Sequence, residues 1–112
     1  MTVLLDYLCD YFKCNPNELN ARLKASEYAV ENLDDHALFS QYSFFSFIHY
    51  SGFTHEAANV IRPYATNDTL EDYFNNKYNV KLKYPDLVCL WEHIDENIHR
   101  YYPLELVEIQ LF

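Results

Sequence analysis

The hydrophobic period of the chain changes near Leu38, and this change limits the possible fold more than any other feature. Before it, apolar residues recur three and four positions apart, as they do on one face of an α-helix. After it, short runs of alternating or continuous apolar residues predict β-strands. This order predicts a mainly β domain of the α+β class, in which helices pack at one end of a small OB-like or SH3-like barrel.

The first 35 residues are expected to contain two N-terminal helices. In "TVLLDYLCDYFK" the apolar side chains fall on one side of a helix over about residues 3–13. A second helix begins at "NPNE", where Asn15 is the expected N-cap and Glu18 reaches back toward it. This second helix is expected to run to about Asn32.

The barrel is expected to occupy residues 38–112. The run "LFSQYSFFSFIHY" predicts a strand that enters a turn at Ser51-Gly52, whereas "FTHEAANVIRP" fits either a short helix or a weak strand. "TLEDYFNNKY" predicts a short internal helix with Asp68 or Thr69 as its N-cap. Beyond it, "VKLKY", "LVCLW" and "IHRYY" predict strands, "EHIDEN" predicts an acidic turn, and a proline bends the chain into "LELVEIQLF".

The length and net charge of the chain restrict the functions that it could have. Its 112 residues suffice for one domain with a single modest core. The formal net charge of −9 is spread evenly, so the domain as a whole lacks the basic surface typical of nucleic-acid binders. A local basic patch is present only at Lys77, Lys81 and Lys83. A solvated charged face explains these three lysines equally well.

The cysteines and the N-terminal residues predict where the protein works. Three cysteines without a C-x-x-C motif predict reduced thiols in a cytosolic or nuclear protein. The first residues lack a basic region and a long apolar run, so neither a signal peptide nor a membrane span is expected. The expected location is the cytoplasm, with the nucleus and RNA granules as alternatives, and no membrane partner is expected.

No catalytic motif stands out in the sequence. It contains no G-x-S-x-G, no Walker loop and no H-E-x-x-H. His93 and His99 flank an expected hairpin turn and could share a metal, but structural zinc needs about four ligands and usually recruits cysteine. Surface histidines are therefore the better interpretation, and we expect a binding module without metal or cofactor rather than an enzyme.

The tyrosines are the residues most suggestive of binding. There are eleven, and each buried phenol would need a partner for its hydroxyl group. Tyr73, Lys77 and Tyr78 lie on the short internal helix and could bring two phenols and an ammonium to one phosphate. The alternative is that these rings pack the helix onto the barrel, and spacing alone favours this second interpretation.

A family resemblance changes that balance. The segment "TLEDYFNNKYNVKLKYPDLVCLWEHIDENIHRYYPLELVEI" resembles the second half of the PAZ domain of Argonaute proteins, which typically shows "YF…KYN..LKYP.LPCL" followed by "YLPLE". The matching residues are Tyr73-Phe74, Lys77-Tyr78-Asn79, Leu82-Lys83-Tyr84-Pro85, Cys89-Leu90 and Pro103-Leu104-Glu105. The opening "VLLDYLCDYF" is similar to the first helix of the family. The whole chain, residues 1–112, is accordingly interpreted as one divergent PAZ domain.

The resemblance implies an OB-like barrel that holds the 3′ end of a small guide RNA in RNA-mediated gene silencing. In the family, tyrosines that match Tyr73 and Tyr78 contact the terminal phosphate, and the lysine that matches Lys77 assists. The residues expected to bind the RNA 3′ end are Tyr73, Lys77, Tyr78, Tyr50, Lys83, Arg100 and Tyr102. The other expected partners are the remaining domains of a parent Argonaute, and a further protein partner is an open alternative.

The chain departs from the family pattern in the half that closes over the RNA. If Ser51-Gly52 marks the family's turn, Tyr50 lies where a histidine is expected, and Ile98 lies near the position where a lysine is common. "HEAANVIRPYATND" is too short for the full family insertion and lacks its arginines and tyrosines at the expected positions, which are taken by Glu56 and Ala58. A shortened insertion would weaken RNA binding. A degenerate PAZ fold that serves as a protein-interaction or spacing module is therefore the alternative function.

Overall fold

The computed structural model describes residues 2–25, 33, 36–41, 47–63 and 67–111. These residues form three α-helices and two antiparallel sheets of three strands, which confirms the α+β class. The helices are α1 (Leu4–Phe12), α2 (Leu19–Ala25) and α3 (Leu70–Tyr78). The strands are β1 (Thr2–Val3), β2 (His36–Ser40), β3 (Gly52–Ala57), β4 (Val88–Asp95), β5 (Ile98–Pro103) and β6 (Val107–Leu111).

One sheet has the strand order β1-β6-β2 and the other has the order β3-β4-β5. The chain passes from the second sheet to the first through a 3₁₀ turn at Leu104–Leu106, directly after Pro103. Leu104 is 1% exposed and Leu106 is 7% exposed, so this crossover is anchored in the core. The predicted bend at Pro103 is confirmed, and the two sheets form an open, OB-like barrel within the described residues.

The N-terminal helices follow from local sequence signals. α1 buries Leu4, Leu5 and Leu8 on one side, as its spacing predicts. After it, the backbone N–H of Asn15 donates to the Glu18 carboxylate at 3.4 Å, and a 3₁₀ turn leads into α2. The predicted continuation of this helix beyond its described end, toward residue 32, lies outside the described residues.

Strand β4 lies between two apolar clusters. Successive side chains of a strand point to opposite faces, so neighbouring residues can enter different clusters. Leu90 joins the cluster formed with α1 and β6, whereas Cys89 joins a second cluster with Leu70 and Phe74 of α3. Both Cys89 and Leu90 are fully buried, which confirms the prediction that "LVCLW" is covered on both faces.

The predicted turn at Ser51-Gly52 is wrong, because Gly52 instead begins β3 and pairs with Trp91 of β4. A Cβ atom at Gly52 would lie 2.8 Å from the indole Nε1 of Trp91. The only glycine of the chain therefore allows a close approach across the sheet rather than a reversal of the chain. The ambiguous segment that follows is a strand as far as Ala57 and then a turn over residues 58–60.

Two further strand and turn predictions are wrong. "VKLKY" alternates in burial around the buried Leu82, but residues 79–87 belong to neither sheet. Their backbone is held instead by the Glu105 carboxylate, which accepts the N–H groups of Lys83 and Tyr84 at 3.1 and 3.0 Å. The predicted acidic turn "EHIDEN" is mostly strand, since β4 extends to Asp95 and only residues 96–97 form the turn.

Candidate nucleic-acid interface

Helix α3 carries the central residues of the candidate site, and local signals set both of its ends. The Thr69 hydroxyl accepts the backbone N–H of Asp72 at 3.2 Å, as expected of an N-cap. At the other end Asn79 adopts the left-handed conformation with φ 55°, and its N–H donates to the carbonyl of Phe74. The helix therefore ends at Tyr78, as predicted, and Tyr78 lies on its last turn.

Tyr73, Lys77 and Tyr78 meet at the surface, and we call them the Tyr–Lys–Tyr cluster. The Lys77 ammonium donates to the Tyr73 hydroxyl at 2.9 Å. It also lies 5.4 Å from the ring centre of each tyrosine, which is cation–π distance. The two rings are 6.3 Å apart and nearly perpendicular, with an interplanar angle of 78°. Two phenols and one cation thus converge, as the sequence spacing allows.

The charge of the Tyr–Lys–Tyr cluster is stable at neutral pH. The hydrogen bond with the Tyr73 hydroxyl raises the pKa of Lys77, and electrostatic interactions with Tyr73 and Tyr78 raise it further. The Lys77 side chain is exposed, whereas both tyrosines are half-buried and pack against the second apolar cluster. The rings therefore attach α3 to the barrel while the polar groups face solvent, so packing and anion binding are compatible.

A cleft of about 460 Å³ opens beside strands β3, β4 and β5. We call it the aromatic cleft, after the rings of Trp91, His99 and Tyr101 along its wall. The rings of Trp91 and His99 lie 4.8 Å apart with an interplanar angle of 42°, and His99 lies 6.3 Å from Tyr101. His55 and Arg62 add polar groups to the lining. The rings are tilted or edge-on to each other, and Glu56 joins Arg62 in the lining, so one cation and one anion lie beside an aromatic wall on which a nucleobase could stack.

The aromatic cleft and the Tyr–Lys–Tyr cluster lie on the same side of the β3-β4-β5 sheet. Tyr101 is paired with Trp91 across β4 and β5, and these directly opposed residues share a face. Tyr101 also packs against the second apolar cluster, as Tyr73 and Tyr78 do. This side of the sheet therefore carries both the aromatic wall and the hydrogen-bond donors of the Tyr–Lys–Tyr cluster.

A family model described as the PAZ domain matches residues 18–111. The chain belongs to the PAZ domain family. The Drosophila Ago-PAZ domain, solved in complex with 3′-end 2′-O-methylated RNA, matches this chain with a TM-score of 0.70 and 20% sequence identity over 95% of each chain. At that identity the match confirms the predicted fold.

Piwi-like protein ergo-1 of Caenorhabditis elegans is similar in sequence to this PAZ domain. The two are 43% identical over 53 residues, which cover 41% of this chain and 5% of that protein. The chain thus spans only a small part of the length of this relative.

Two of the remaining predicted site residues lie on the opposite face of the PAZ barrel from the aromatic cleft. Tyr102 packs against the first apolar cluster, and its hydroxyl donates to the Glu92 carboxylate at 2.8 Å. Glu92 is 7% exposed, and its other oxygen accepts the N–H of His49 at 2.9 Å. Burial, followed by the hydrogen bond and charge of Glu92, raises the pKa of Tyr102 to about 12, against an opposing effect of Arg100. Arg100 is paired with Glu92 across the two strands and shares this face.

The other two predicted residues are Tyr50 and Lys83. The Tyr50 hydroxyl donates to the carbonyl of Leu33 at 3.0 Å, and its ring packs against the first apolar cluster. Lys83 lies in the segment after α3, with an exposed side chain. The structure thus brings together Tyr73, Lys77 and Tyr78, and the RNA-binding role of all seven residues stays a prediction.

Sequence reasoning missed the residues of the aromatic cleft. In "YYPLE" the first tyrosine, Tyr101, aligns with the tyrosine of the family's "YLPLE", so the motif itself contained a signal for it. Alternation along β4 and along β5 shows which residues of each strand share a face. Only the register of the hairpin shows that Trp91 and Tyr101 lie opposite each other on the same face. Arg62 lies in the segment where the family's arginines were judged to be missing, and only the folded chain shows that it lines the cleft.

The two histidines weighed as metal ligands lie side by side. His93 and His99 are directly opposed across β4 and β5, with ring centres 5.7 Å apart. Among the residues that the structure describes, no group of three or more His, Cys, Asp or Glu side chains could hold a metal ion. None of the helices in that part of the chain is long and apolar enough to cross a bilayer.

Proposed function

We propose that this PAZ domain binds the 3′ end of a single-stranded small guide RNA and anchors it within a parent Argonaute-type protein that acts in RNA-mediated gene silencing. The observation that carries the proposal is the Tyr–Lys–Tyr cluster. The RNA named for the similar Drosophila domain supports the choice of ligand. The domain acts as a binding module, and any RNA cleavage belongs to other domains of the parent. We place the protein in the cytoplasm, with the nucleus and RNA granules as alternatives.

The Tyr–Lys–Tyr cluster fits the terminal phosphodiester. Lys77 supplies a positive charge and ammonium protons, and the phenols of Tyr73 and Tyr78 supply neutral O–H donors. Hydrogen bonds in which one partner is charged are shorter and stronger than neutral ones, and a phosphate can accept several at once. One lysine flanked by two phenols therefore binds a phosphate without the large basic surface that this chain lacks.

The aromatic cleft fits the terminal nucleoside next to that phosphate. Stacking of a base on an aromatic side chain contributes about 1–3 kcal/mol in single-strand binders and tolerates all four bases. Trp91 offers the largest ring for this contact, and it is the only tryptophan of the chain. Its fluorescence should therefore report directly on an RNA end that enters the cleft.

The test is a titration of the domain with a short single-stranded RNA, followed by Trp91 fluorescence and by NMR shifts. A matched RNA whose 3′ terminus carries a bulky linker is the control. We expect the open end to bind more tightly than the blocked end, because the proposed contacts are made to the terminal phosphate and the terminal nucleoside, which the linker would obstruct. Equal affinity for the two RNAs would contradict end recognition.

A salt series in the same experiment tests the proposed contacts. The slope of log K against log salt is about −0.7 per phosphate neutralised on a single strand, so the few available cations predict a slope of about −1 to −2. A steep slope would mean that a larger basic surface is at work. The net charge of −9 favours weak binding. Absence of binding at low salt would favour the interaction or spacing module instead.

A further inference from the structure

Two cysteines lie at the C-terminal end of α1, on a part of the fold that the proposed RNA site does not use. The backbone N–H of Cys14 donates to the carbonyl of Cys9 at 3.0 Å, and Lys13 between them is left-handed with φ 52°. This is the Schellman pattern of helix termination, in which the side chains at these two positions commonly contact each other. In most helices that contact is apolar, but here both side chains are thiols.

The two thiols share a surface cleft of about 460 Å³. Both cysteines are half-buried, so a small reagent can reach them. Burial, the charge and hydrogen bond of Cys14, and the charge of Asp6 together raise the pKa of Cys9 to about 11, so this thiol is largely protonated at neutral pH. The contribution from Cys14 reflects direct thiol–thiol proximity. Cys89, by contrast, is fully buried in the second apolar cluster.

We propose that Cys9 and Cys14 form a dithiol site that a peroxide oxidises to an intramolecular disulfide. In the first step Cys14 loses its thiol proton and attacks a peroxide oxygen as the thiolate, the O–O bond breaks, water leaves and a sulfenic acid forms on Cys14. In the second step the sulfur of Cys9 attacks the sulfur of Cys14 and gives up its proton, the S–O bond breaks and a second water leaves. The pair of thiols loses two electrons and two protons, and one hydrogen peroxide is reduced to two waters.

The backbone hydrogen bond from Cys14 to Cys9 holds the two residues close together. Disulfides need Cα atoms about 4.4–6.8 Å apart, and side chains at these two positions of a Schellman motif commonly contact each other. The bond would close a short loop around a turn that is already folded, so the barrel need not rearrange. In a reducing compartment intracellular disulfides are usually transient, which suits a reversible response to peroxide.

The experiment treats the full chain with hydrogen peroxide, then unfolds it and labels the remaining thiols with a maleimide for mass spectrometry. The reduced chain should take one label at each of its three cysteines. The oxidised chain should take a single label, at Cys89, and its Cys9 and Cys14 peptides should be joined. Dithiothreitol should restore all three labels. The oxidised form should also unfold at a temperature several degrees higher.

Matched variants make the result decisive. Cys89→Ser should leave the joined peptides intact and remove the last label. Cys9→Ser and Cys14→Ser should each abolish the internal bond while the fold, checked by circular dichroism, is kept. The proposal is overturned if all three cysteines of the oxidised chain still take label. It is also overturned if the bonds that form link Cys89 or join separate chains.

Discussion

The Lys77 ammonium donates a hydrogen bond of 2.9 Å to the hydroxyl of Tyr73, one helical turn earlier. Residues four apart lie on one face of a helix, so α3 itself holds the two groups together. A phenol that accepts this bond through a lone pair still carries its own proton, which it can donate to a ligand oxygen. The pair thus presents a cation and an oriented O–H donor on an exposed surface.

Removal of either phenol of the Tyr–Lys–Tyr cluster should weaken RNA binding. Tyr73→Phe and Tyr78→Phe each keep the ring that packs α3 onto the barrel and delete one hydroxyl. A hydrogen bond to a charged group contributes roughly 1.5–3 kcal/mol, so each change should reduce affinity about tenfold or more. Fluorescence titration with an open-ended RNA measures this effect, and thermal unfolding checks that stability is little changed.

Tyr11→Phe is the matched control for those variants. Tyr11 lies on α1 and is 57% exposed, so the same chemical change there should leave RNA affinity as it was. If the two α3 variants bind RNA as well as the unchanged domain does, the phosphate site lies elsewhere.

Gly52→Ala should disturb the wall of the aromatic cleft. The added methyl group would meet the indole Nε1 of Trp91 at 2.8 Å, so the ring must move. Overpacking of this kind typically costs about 1–3 kcal/mol of unfolding free energy. Denaturant unfolding measures the loss, and the emission of Trp91 should shift because its surroundings change.

A double variant isolates the clash as the cause. Trp91→Phe removes the indole nitrogen, so Gly52→Ala should cost less in that background than in the unchanged chain. Equal costs in the two backgrounds would show that Gly52 matters for another reason, such as its backbone conformation.

Lys13→Gly should stabilise the domain. Lys13 holds a φ of 52°, a left-handed conformation that costs a non-glycine residue about 1–2 kcal/mol. Glycine avoids this cost but loses more entropy on folding, so we expect a net gain of about 0.5–1 kcal/mol. Lys13→Ala retains the strain and removes the same charge. A similar gain in both variants would therefore assign the effect to charge rather than to the backbone.

Stability should fall as the pH rises above about 9. Burial raises the pKa of Cys89 to about 12 from 9.0, and the pKa of Tyr102 to about 12 from 10.0. The unfolded chain releases these protons at lower pH than the folded one, so alkaline conditions favour unfolding through the range 9–12. Urea unfolding at several pH values measures this trend. Tyr102→Phe should flatten it above pH 10, and an unchanged trend would contradict the assignment.

Features that depend on neighbours along the chain were predictable from the sequence. Helix α3 begins at a capping threonine, Thr69, and ends before Asn79, as the sequence indicates, because capping bonds are made within a few residues. The convergence of Tyr73 and Lys77 has the same origin, since one helical turn joins them. The burial of β4 on both faces could also be predicted, because a strand that is shielded from water on both sides is apolar at successive positions rather than at alternate ones.

Features that depend on strand register and close packing were decided only by the tertiary structure. The segment from residue 79 to residue 87 alternates like a strand, but the Glu105 carboxylate, distant in sequence, holds its backbone instead of a partner strand. Tyr101 and Tyr102 are chemically alike, yet the register of β5 against β4 sends one into the aromatic cleft and the other to Glu92. A shift of one residue would exchange them. The sequence by itself therefore determined the convergence of Tyr73 and Lys77 on α3, whereas the folded sheet determined which aromatic rings line the cleft.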